Sequence, residues 1–369
     1  MVSLIARLWL LAIAITVKAV PLHSEVKVRD VSEGPLSPVT HSSSLPPTII
    51  YETSKGTWLE NFVIRQQDGN AVVTVLTSPD VYLFSTTNEF EPVRLAHFDG
   101  NLGCLGIVEM GHDVFYVGVG NWSASTGEAT PGTWSIWEMD LNGFDSHSHQ
   151  EVSVTQVAAL PDTGFLNGMT VLNPNRGTIL VADSLYSSVW SVNVRTGNVD
   201  VAINDTTMSI LQDATGLQLG INAISNIDGY LYYDNTNRAT FCRIPIDRLT
   251  GQPLGPAEIL VKSNIDTIFP DDFVIDFAGN AWMTSDKLSE VSLLRNVGSG
   301  EHPVIEIVAG DRSDASIAGF TAAHFGTSKM DLERGALYVT TNGGPVNYFF
   351  SNWTSGGMLL RYDTAQMGL

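Results

Sequence analysis

Cysteine is nearly absent from this 369-residue chain, which has only Cys104 and Cys242. Two thiols exclude a disulfide-rich scaffold and a cysteine-only zinc site. Positive charge is also scarce: 19 Lys and Arg stand against 39 Asp and Glu, for a formal net charge of −20. Such a chain has no basic footprint for a phosphate backbone, which excludes nucleic acid as a partner. Long apolar runs are missing. The run Leu8–Val17 is ten residues, against the ~20 that a membrane span needs. No GxSxG elbow, HExxH or P-loop occurs, so a covalent serine hydrolase and a zinc hydrolase of those types are disfavoured. Gly118-Val119-Gly120 precedes a loop rather than a helix, and His147 and His149 flank Ser148 in an expected surface loop. Hydrophobic residues nonetheless make up 44% of the chain and charged residues 16%, enough apolar material for a large core.

Residues 1–19 read as a secretory signal: Arg7 supplies the positive start, the apolar run follows, and Val17-Lys18-Ala19 offers a cleavage site. The alternative is a buried N-terminal helix. Three sequons agree with secretion: Asn121-Trp122-Ser123, Asn204-Asp205-Thr206 and Asn352-Trp353-Thr354. In an oxidising compartment Cys104 and Cys242 either pair or stay as two buried free thiols. Residues 20–47 are rich in Pro and Ser without apolar periodicity and form an extended lead-in. The folded domain then spans residues 48–369. Localisation is expected in the secretory pathway, with no membrane contact once the signal is removed.

Beyond Ile49, short runs of Val, Ile, Leu, Tyr and Thr alternate with Asp-Gly, Asn-Gly and Gly-Asn turns, the signature of strands. One hairpin-like unit recurs at residues 60–76, 102–118, 167–183, 222–234, 271–284 and 321–341. Further strand-like runs follow the units, such as 81–85, 134–140, 188–194, 240–245 and 357–362. Six repeats with about four strands each predict an all-β fold, a six-bladed β-propeller of four-stranded blades. Radial stacking buries both faces of each sheet, and ring closure protects the edges. A pair of β-sandwiches is the alternative, but it does not call for the same turn chemistry six times.

The innermost strands of a propeller start around one mouth. Glu60, Asn167, Asn222 and Asp271, far apart in sequence, are therefore expected to converge there. Two carboxylates and two amide oxygens suit a hard divalent ion, Ca²⁺ above all. Asn61 and Asp272 stand next to them. The other reading is that these residues close inner-strand hydrogen bonds. No organic cofactor is implied.

The motifs Leu59-Glu60-Asn61-Phe62-Val63-Ile64-Arg65, Asn167-Gly168-Met169, Gly220-Ile221-Asn222, Pro270-Asp271-Asp272 and Thr340-Thr341-Asn342-Gly343-Gly344 resemble those of the gluconolactonase/regucalcin-like six-bladed propellers, which are similar to paraoxonases and strictosidine synthases. The resemblance implies a divalent metal held by Glu60, Asn167, Asn222 and Asp271. In hydrolytic members the metal polarises a lactone carbonyl, which makes Asp271 the candidate base and His324 a second candidate. The sequons, the long loops and the aromatic blade ends make the layout most similar to secreted fungal members. Among these are hetero-Diels–Alderases that join a tropolone o-quinone methide to a humulene-type polyene. That resemblance implies small apolar natural-product intermediates as partners and an aromatic mouth, for which Trp58, Trp122, Tyr232, Trp282, Tyr348, Phe349 and Trp353 are the candidates. Ordinary blade packing is the competing explanation for each. A metal-dependent lactonase or ester hydrolase, and a secreted propeller that only binds a ligand, are the alternative functions.

Overall fold

The structure, a computed structural model, describes residues 35–146, 152–211, 218–299, 303–344 and 353–367. The signal and most of the lead-in, together with Tyr348, Phe349, Asn352, His147 and His149, lie outside the described residues. The described chain is almost entirely β and forms six blades. Each inner hairpin coincides with one of the six repeats. Blade 1 runs Leu59–Ile64, Ala71–Val75, Asp80–Phe84, Val93–His97, and blade 2 runs Gly103–Glu109, Val114–Gly120, Trp134–Asp140, Ser153–Leu160. Blade 3 follows as Leu166–Asn173, Thr178–Asp183, Ser188–Asn193, Asn198–Ile203, and blade 4 as Ile221–Ile227, Tyr230–Asn235, Thr240–Pro245, Glu258–Lys262. Blade 5 comprises Pro270–Ile275, Ala281–Ser285, Glu290–Leu294 and Ile305–Gly310.

Blade 6 takes Phe320–Phe325, Ala336–Thr341 and Gly356–Asp363 from the C-terminal end, and its outer strand, Thr48–Lys55, from the N-terminal end. Joining the two ends of the chain in one sheet closes the ring, so fraying at either end would have to break this sheet. The preceding strand, Val39–Leu45, adds in parallel to the outer edge of blade 5, and Ser37 N–H donates to the Lys262 carbonyl of blade 4. This stretch therefore covers edges that would otherwise offer unpaired backbone groups.

Each blade buries its alternating apolar residues against its neighbours. Val72, Leu83, Cys104 and Phe115 pack between blades 1 and 2, Leu105, Trp134, Leu166 and Met169 between 2 and 3. Leu180, Val189, Ile221 and Tyr233 fill the next junction, and Phe241, Val261, Phe273 and Met283 the one after. Trp282, Val291, Phe320 and Leu360 pack between blades 5 and 6. Leu59, Phe62, Tyr338 and Leu359 complete the circle between 6 and 1. Below blades 1 and 2, Arg65 makes two bonds of 2.6 Å to Asp113, both residues being buried, and a third to Asp68.

Cys104 and Cys242 are buried free thiols in different blades. They do not pair, because each side chain fills a separate inter-blade core. Among the described residues no helix is long and apolar enough to cross a membrane.

Candidate functional site

One irregularity repeats in all six inner hairpins and builds the site. Register slips between Leu59 and Phe62, Cys104 and Ile107, Leu166 and Met169, Ile221 and Ile224, Pro270 and Phe273, and Phe320 and Ala323. Such a bulge leaves backbone N–H groups off the ladder, and each needs another acceptor. In four blades a side-chain oxygen of the second strand supplies it. Thr74 accepts from Asn61 N–H at 3.1 Å, Asp234 from Ala223 at 3.1 Å, Thr284 from Asp272 at 3.0 Å and Thr340 from Ala322 at 3.2 Å. The bulged residues are turned towards the ring axis. Glu60, Asn61, Asn167, Gly168, Asn222, Ala223, Asp271, Asp272 and Thr321 line one axial cleft of about 170 Å³, part of it open to solvent.

The four candidate ligands Glu60, Asn167, Asn222 and Asp271 thus meet in space. Asn222 donates to Asp271 Oδ1 at 3.0 Å and to Thr236 Oγ1 at 3.0 Å. Asn61 donates to Asp272 Oδ2 at 2.8 Å. Two residues the sequence reading missed as a pair stand beside the cleft, and one of them, Asp286, acts on Glu60 and Asp271 by charge repulsion. Asp286 directly follows the second strand of blade 5, and Asn342 the second strand of blade 6. Asn342 Nδ2 donates to Asp286 Oδ1 at 2.5 Å, with both residues buried. The only sequence signal was a polar residue just past the end of an inner hairpin.

Crowding these acids in a buried place disfavours their charged forms. Burial, with repulsion from Asp286, pushes the Glu60 carboxyl up to about 8, while the Trp58 indole opposes the rise. Burial raises Asp271 well above the usual carboxylate range, with Glu60, Asp286 and Asp272 adding to it. Burial also raises Asp272 to about 7 against hydrogen bonds from Phe273 and Asn61, and Asp286 to about 7 against the bond from Asn342. Glu60 Oε2 is buried and has no hydrogen-bond partner within the protein. Burial and the acidic neighbours thus favour the protonated form of Asp271. In that form a carboxyl can donate a hydrogen bond, whereas action as a base needs the charged form that burial disfavours.

His324 does not line the cleft. It lies three residues along its strand from Thr321, where it packs edge-to-face on Phe62 of blade 1 at 4.9 Å, and burial lowers its pKa to about 4. In this position it packs against blade 1 and is not among the residues that line the cleft.

The aromatic candidates divide. Trp58 meets Trp122 at 5.7 Å and Trp353 at 6.0 Å, both edge-to-face, in the apolar cluster at the blade 1 and 2 side of the mouth. Trp122 sits on a short hairpin, Trp122–Ser123 with Glu128–Ala129, inserted after the second strand of blade 2. Tyr232 and Trp282 are elsewhere. Tyr232 stacks on Phe241 at 6.1 Å between blades 4 and 5. Trp282 donates to Asp276 at 2.9 Å and packs on Phe325 between blades 5 and 6. Both pair with residues at the far end of their inner strands, Ser225 and Val274, so they are blade packing. Exposed Leu102, Tyr186, Leu211 and Ile265 all stand on connections at the mouth end of blades 1 to 5. Of the sequons, Asn204 is exposed, whereas Asn121 is half-buried with its Oδ1 turned inward.

A ring of oxygen donors with an orphaned Glu60 oxygen is chemically suited to a hard divalent cation, which would neutralise the crowded acids. The set consists of two acids and two amides. Among the described residues no group of three or more His, Cys, Asp or Glu side chains is arranged to hold a metal.

The fold is that of a six-bladed propeller, and it is similar to those of regucalcin and gluconolactonase-like proteins. Regucalcin of Agrobacterium tumefaciens, a calcium-binding protein, superposes with a TM-score of 0.59 at 16% identity, covering 89% of this chain and 95% of its own. A luciferin-regenerating enzyme gives 0.61 at 14% identity, over 86% of this chain and 95% of its own. A candidate gluconolactonase gives 0.51 at 12% identity, over 87% and 93%. These likenesses concern the fold alone. No family model matches the chain. By sequence, the chain is 25% identical over 328 residues to a Phoma sp. protein named as a candidate hetero-Diels–Alderase, covering 83% of this chain and 89% of that protein. It is 23% identical over 320 residues to a Sarocladium schorii protein of the same designation, covering 80% and 78%.

Proposed function

We propose that this protein is a pericyclase, a hetero-Diels–Alderase that joins a reactive o-quinone methide to a terpene polyene in the secretory pathway. The observation that carries the reading is a ring of buried acids whose charged forms are disfavoured, beside a cluster of tryptophans, and the naming of the two sequence relatives supports it. The cycloaddition needs no nucleophile and no net proton transfer. It needs two partners held together in one orientation, with the oxa-diene carbonyl polarised. A buried carboxyl kept neutral is a strong hydrogen-bond donor; in this reading Asp271, whose neutral form burial favours and whose Oδ1 accepts from Asn222, is that donor. The axial cleft is too tight to admit a terpene. In this reading the reactants rest above it, against the half-buried Trp353, behind which Trp58 and Trp122 are packed. Apolar walls there keep water from adding to the quinone methide.

A bound divalent ion would be held by Glu60, Asn167, Asn222 and Asp271 and would supply Lewis-acid polarisation of the same carbonyl. The ring chemistry also fits a lactone hydrolase, the second reading. Its weakness is that burial disfavours the charged, basic form of the acids in the cleft. The two readings separate on substrates. A pericyclase changes the stereoisomer ratio of a quinone methide and polyene mixture and leaves simple lactones intact. Chelator-sensitive turnover of simple lactones, without effect on the mixture, would replace it with the hydrolase.

A further inference from the structure

Blade 5 carries a second opening that shares no lining residue with the axial cleft. It is a cavity of about 640 Å³ on the outer rim of the blade, within the roughly 300–1,000 Å³ of small-molecule sites. Two local irregularities build its walls. The parallel strand Val39–Leu45 slips register against the fourth strand of blade 5, where His41 pairs with Ile307 and Leu45 with Ala309. Residues 42–44 thus face Val308 alone and bow off the ladder. Hydroxyl bonds from Ser42 to the Ile307 carbonyl and from Ser44 to the Gly310 carbonyl, at 3.2 and 3.4 Å, tie the bow back. On the other side the chain turns at Gly310, whose φ is +90°. A Cβ there would stand 2.0 Å from the Ser289 carbonyl oxygen, so the turn admits only glycine. It carries Asp311, Arg312 and Ser313 to the edge of the cavity.

The charges of the lining are largely matched. Glu290 is buried and accepts from Arg312 Nε at 2.7 Å and Nη2 at 2.9 Å. Arg312 also donates to the Asp266 and Thr267 carbonyls, at 2.9 and 3.1 Å. Four of its five N–H groups are thus held in direction, and one on Nη1 has no acceptor among the described residues. Asp266 has Lys287 at 3.6 Å. Asp311 takes both Ser313 bonds on Oδ1, which leaves Oδ2 as an open acceptor. Val39, Ile307 and Ala309 supply aliphatic wall, and no Phe, Tyr or Trp is among the described residues that line the cavity.

We propose that this cavity binds a neutral polyhydroxylated ligand, a saccharide, with its C–H face on Val39, Ile307 and Ala309 and its hydroxyls bonded to Arg312, Asp311 and the serines. A flat aromatic ligand has no ring to stack on here. An ion finds little surplus charge to select it, since Arg312 is matched by Glu290 and Asp266 by Lys287. A sugar hydroxyl both donates and accepts, so it serves the spare guanidinium N–H and the open carboxylate oxygen without adding charge. The site does not depend on the pericyclase reading.

Saturation-transfer NMR on the full-length protein tests this. The probes are glucose, mannose, galactose and maltose, with glucosamine and glucuronate as charged counterparts. At least one neutral sugar should bind with a Kd on the order of 1 mM or tighter, and neither charged sugar should bind more tightly than glucose. Ser313→Trp and Ser42→Trp fill the cavity from opposite walls, and Arg312→Lys removes the directed N–H; each is checked for folding by its melting temperature. All three should weaken binding by about tenfold. Ser42→Trp, on the exposed strand, decides the matter if the other two do not fold. Asp271→Asn, in the axial cleft, should leave sugar binding within about twofold. Failure of all four neutral sugars to bind, tighter binding of a charged sugar, or binding unchanged by the folded cavity variants would overturn the proposal. Loss of binding in Asp271→Asn would also overturn it, by placing the sugar in the axial cleft. Adduct formation from a quinone methide and a polyene is a separate readout, so either reading can fail without the other.

Discussion

Replacing Glu60 by Gln should stabilise the protein in metal-free solution at mildly alkaline pH, although the residue is buried at the heart of the ring. The carboxyl rises from 4.5 to about 8 on folding, chiefly through burial and then through repulsion from Asp286. Between those two values the native protein keeps a proton that the unfolded chain has released. Stability is therefore greatest below 4.5 as far as this group is concerned, falls as pH rises through the window, and is fully lost above about 8. A rise of that size corresponds to at most about 5 kcal/mol. Sharing of protons with Asp271 and Asp286, and local relaxation, bring the expected figure to about 1–3 kcal/mol. Gln keeps the shape and cannot ionise. Urea unfolding from pH 5 to 9 in the presence of chelator should show a steeper decline for the wild type than for Glu60→Gln, with the variant ahead at pH 8.5. Adding Ca²⁺ at that pH should restore the wild type by mass action and leave the variant unchanged. Parallel stability curves for the two proteins would refute the reasoning.

Other parts of the structure make equally definite demands. Asp113→Ala strands the buried Arg65 guanidinium beneath blades 1 and 2 and should cost about 3–5 kcal/mol in urea unfolding. Thr284→Val removes the hydroxyl that accepts from the Asp272 N–H and donates to the Thr321 carbonyl. It should cost about 1–3 kcal/mol, with a lower melting temperature as the readout. Expressed in a eukaryotic secretory host, the protein should lose one glycan by mass on Asn204→Gln and none on Asn121→Gln; a glycan mapped to Asn121 would contradict the inward placement of its amide.

The blade count was legible because turns recur: Asp68-Gly69-Asn70, Asp228-Gly229 and Ala278-Gly279-Asn280 each sit inside an inner hairpin. The convergence of Glu60, Asn167, Asn222 and Asp271 was legible too, since each opens such a hairpin. What the sequence did not display is the bulge that turns those residues to the axis. Nor did it display its consequence at blade 2, where Leu105 rather than a polar residue takes the ring position. Asp286 and Asn342 went unpaired in the reading because their 2.5 Å bond crosses from blade 5 to blade 6, and strand patterns carry no information about such partners. Aromatic residues were the least legible. Trp58 and Trp282 occupy similar apolar runs, yet one stands at the mouth and the other at the far end of its hairpin. Only the register along the strand distinguishes them. The same holds for His324, three positions beyond the ring residue of its own strand.

The most direct test of the central claim is product analysis. Purified protein is incubated with an in situ generated tropolone o-quinone methide and humulene, at pH 7 and with chelator present or absent. The account predicts an excess of one adduct stereoisomer over the protein-free reaction, reduced at least tenfold in rate by Asp271→Asn. Adducts in the same ratio with and without the protein would contradict it.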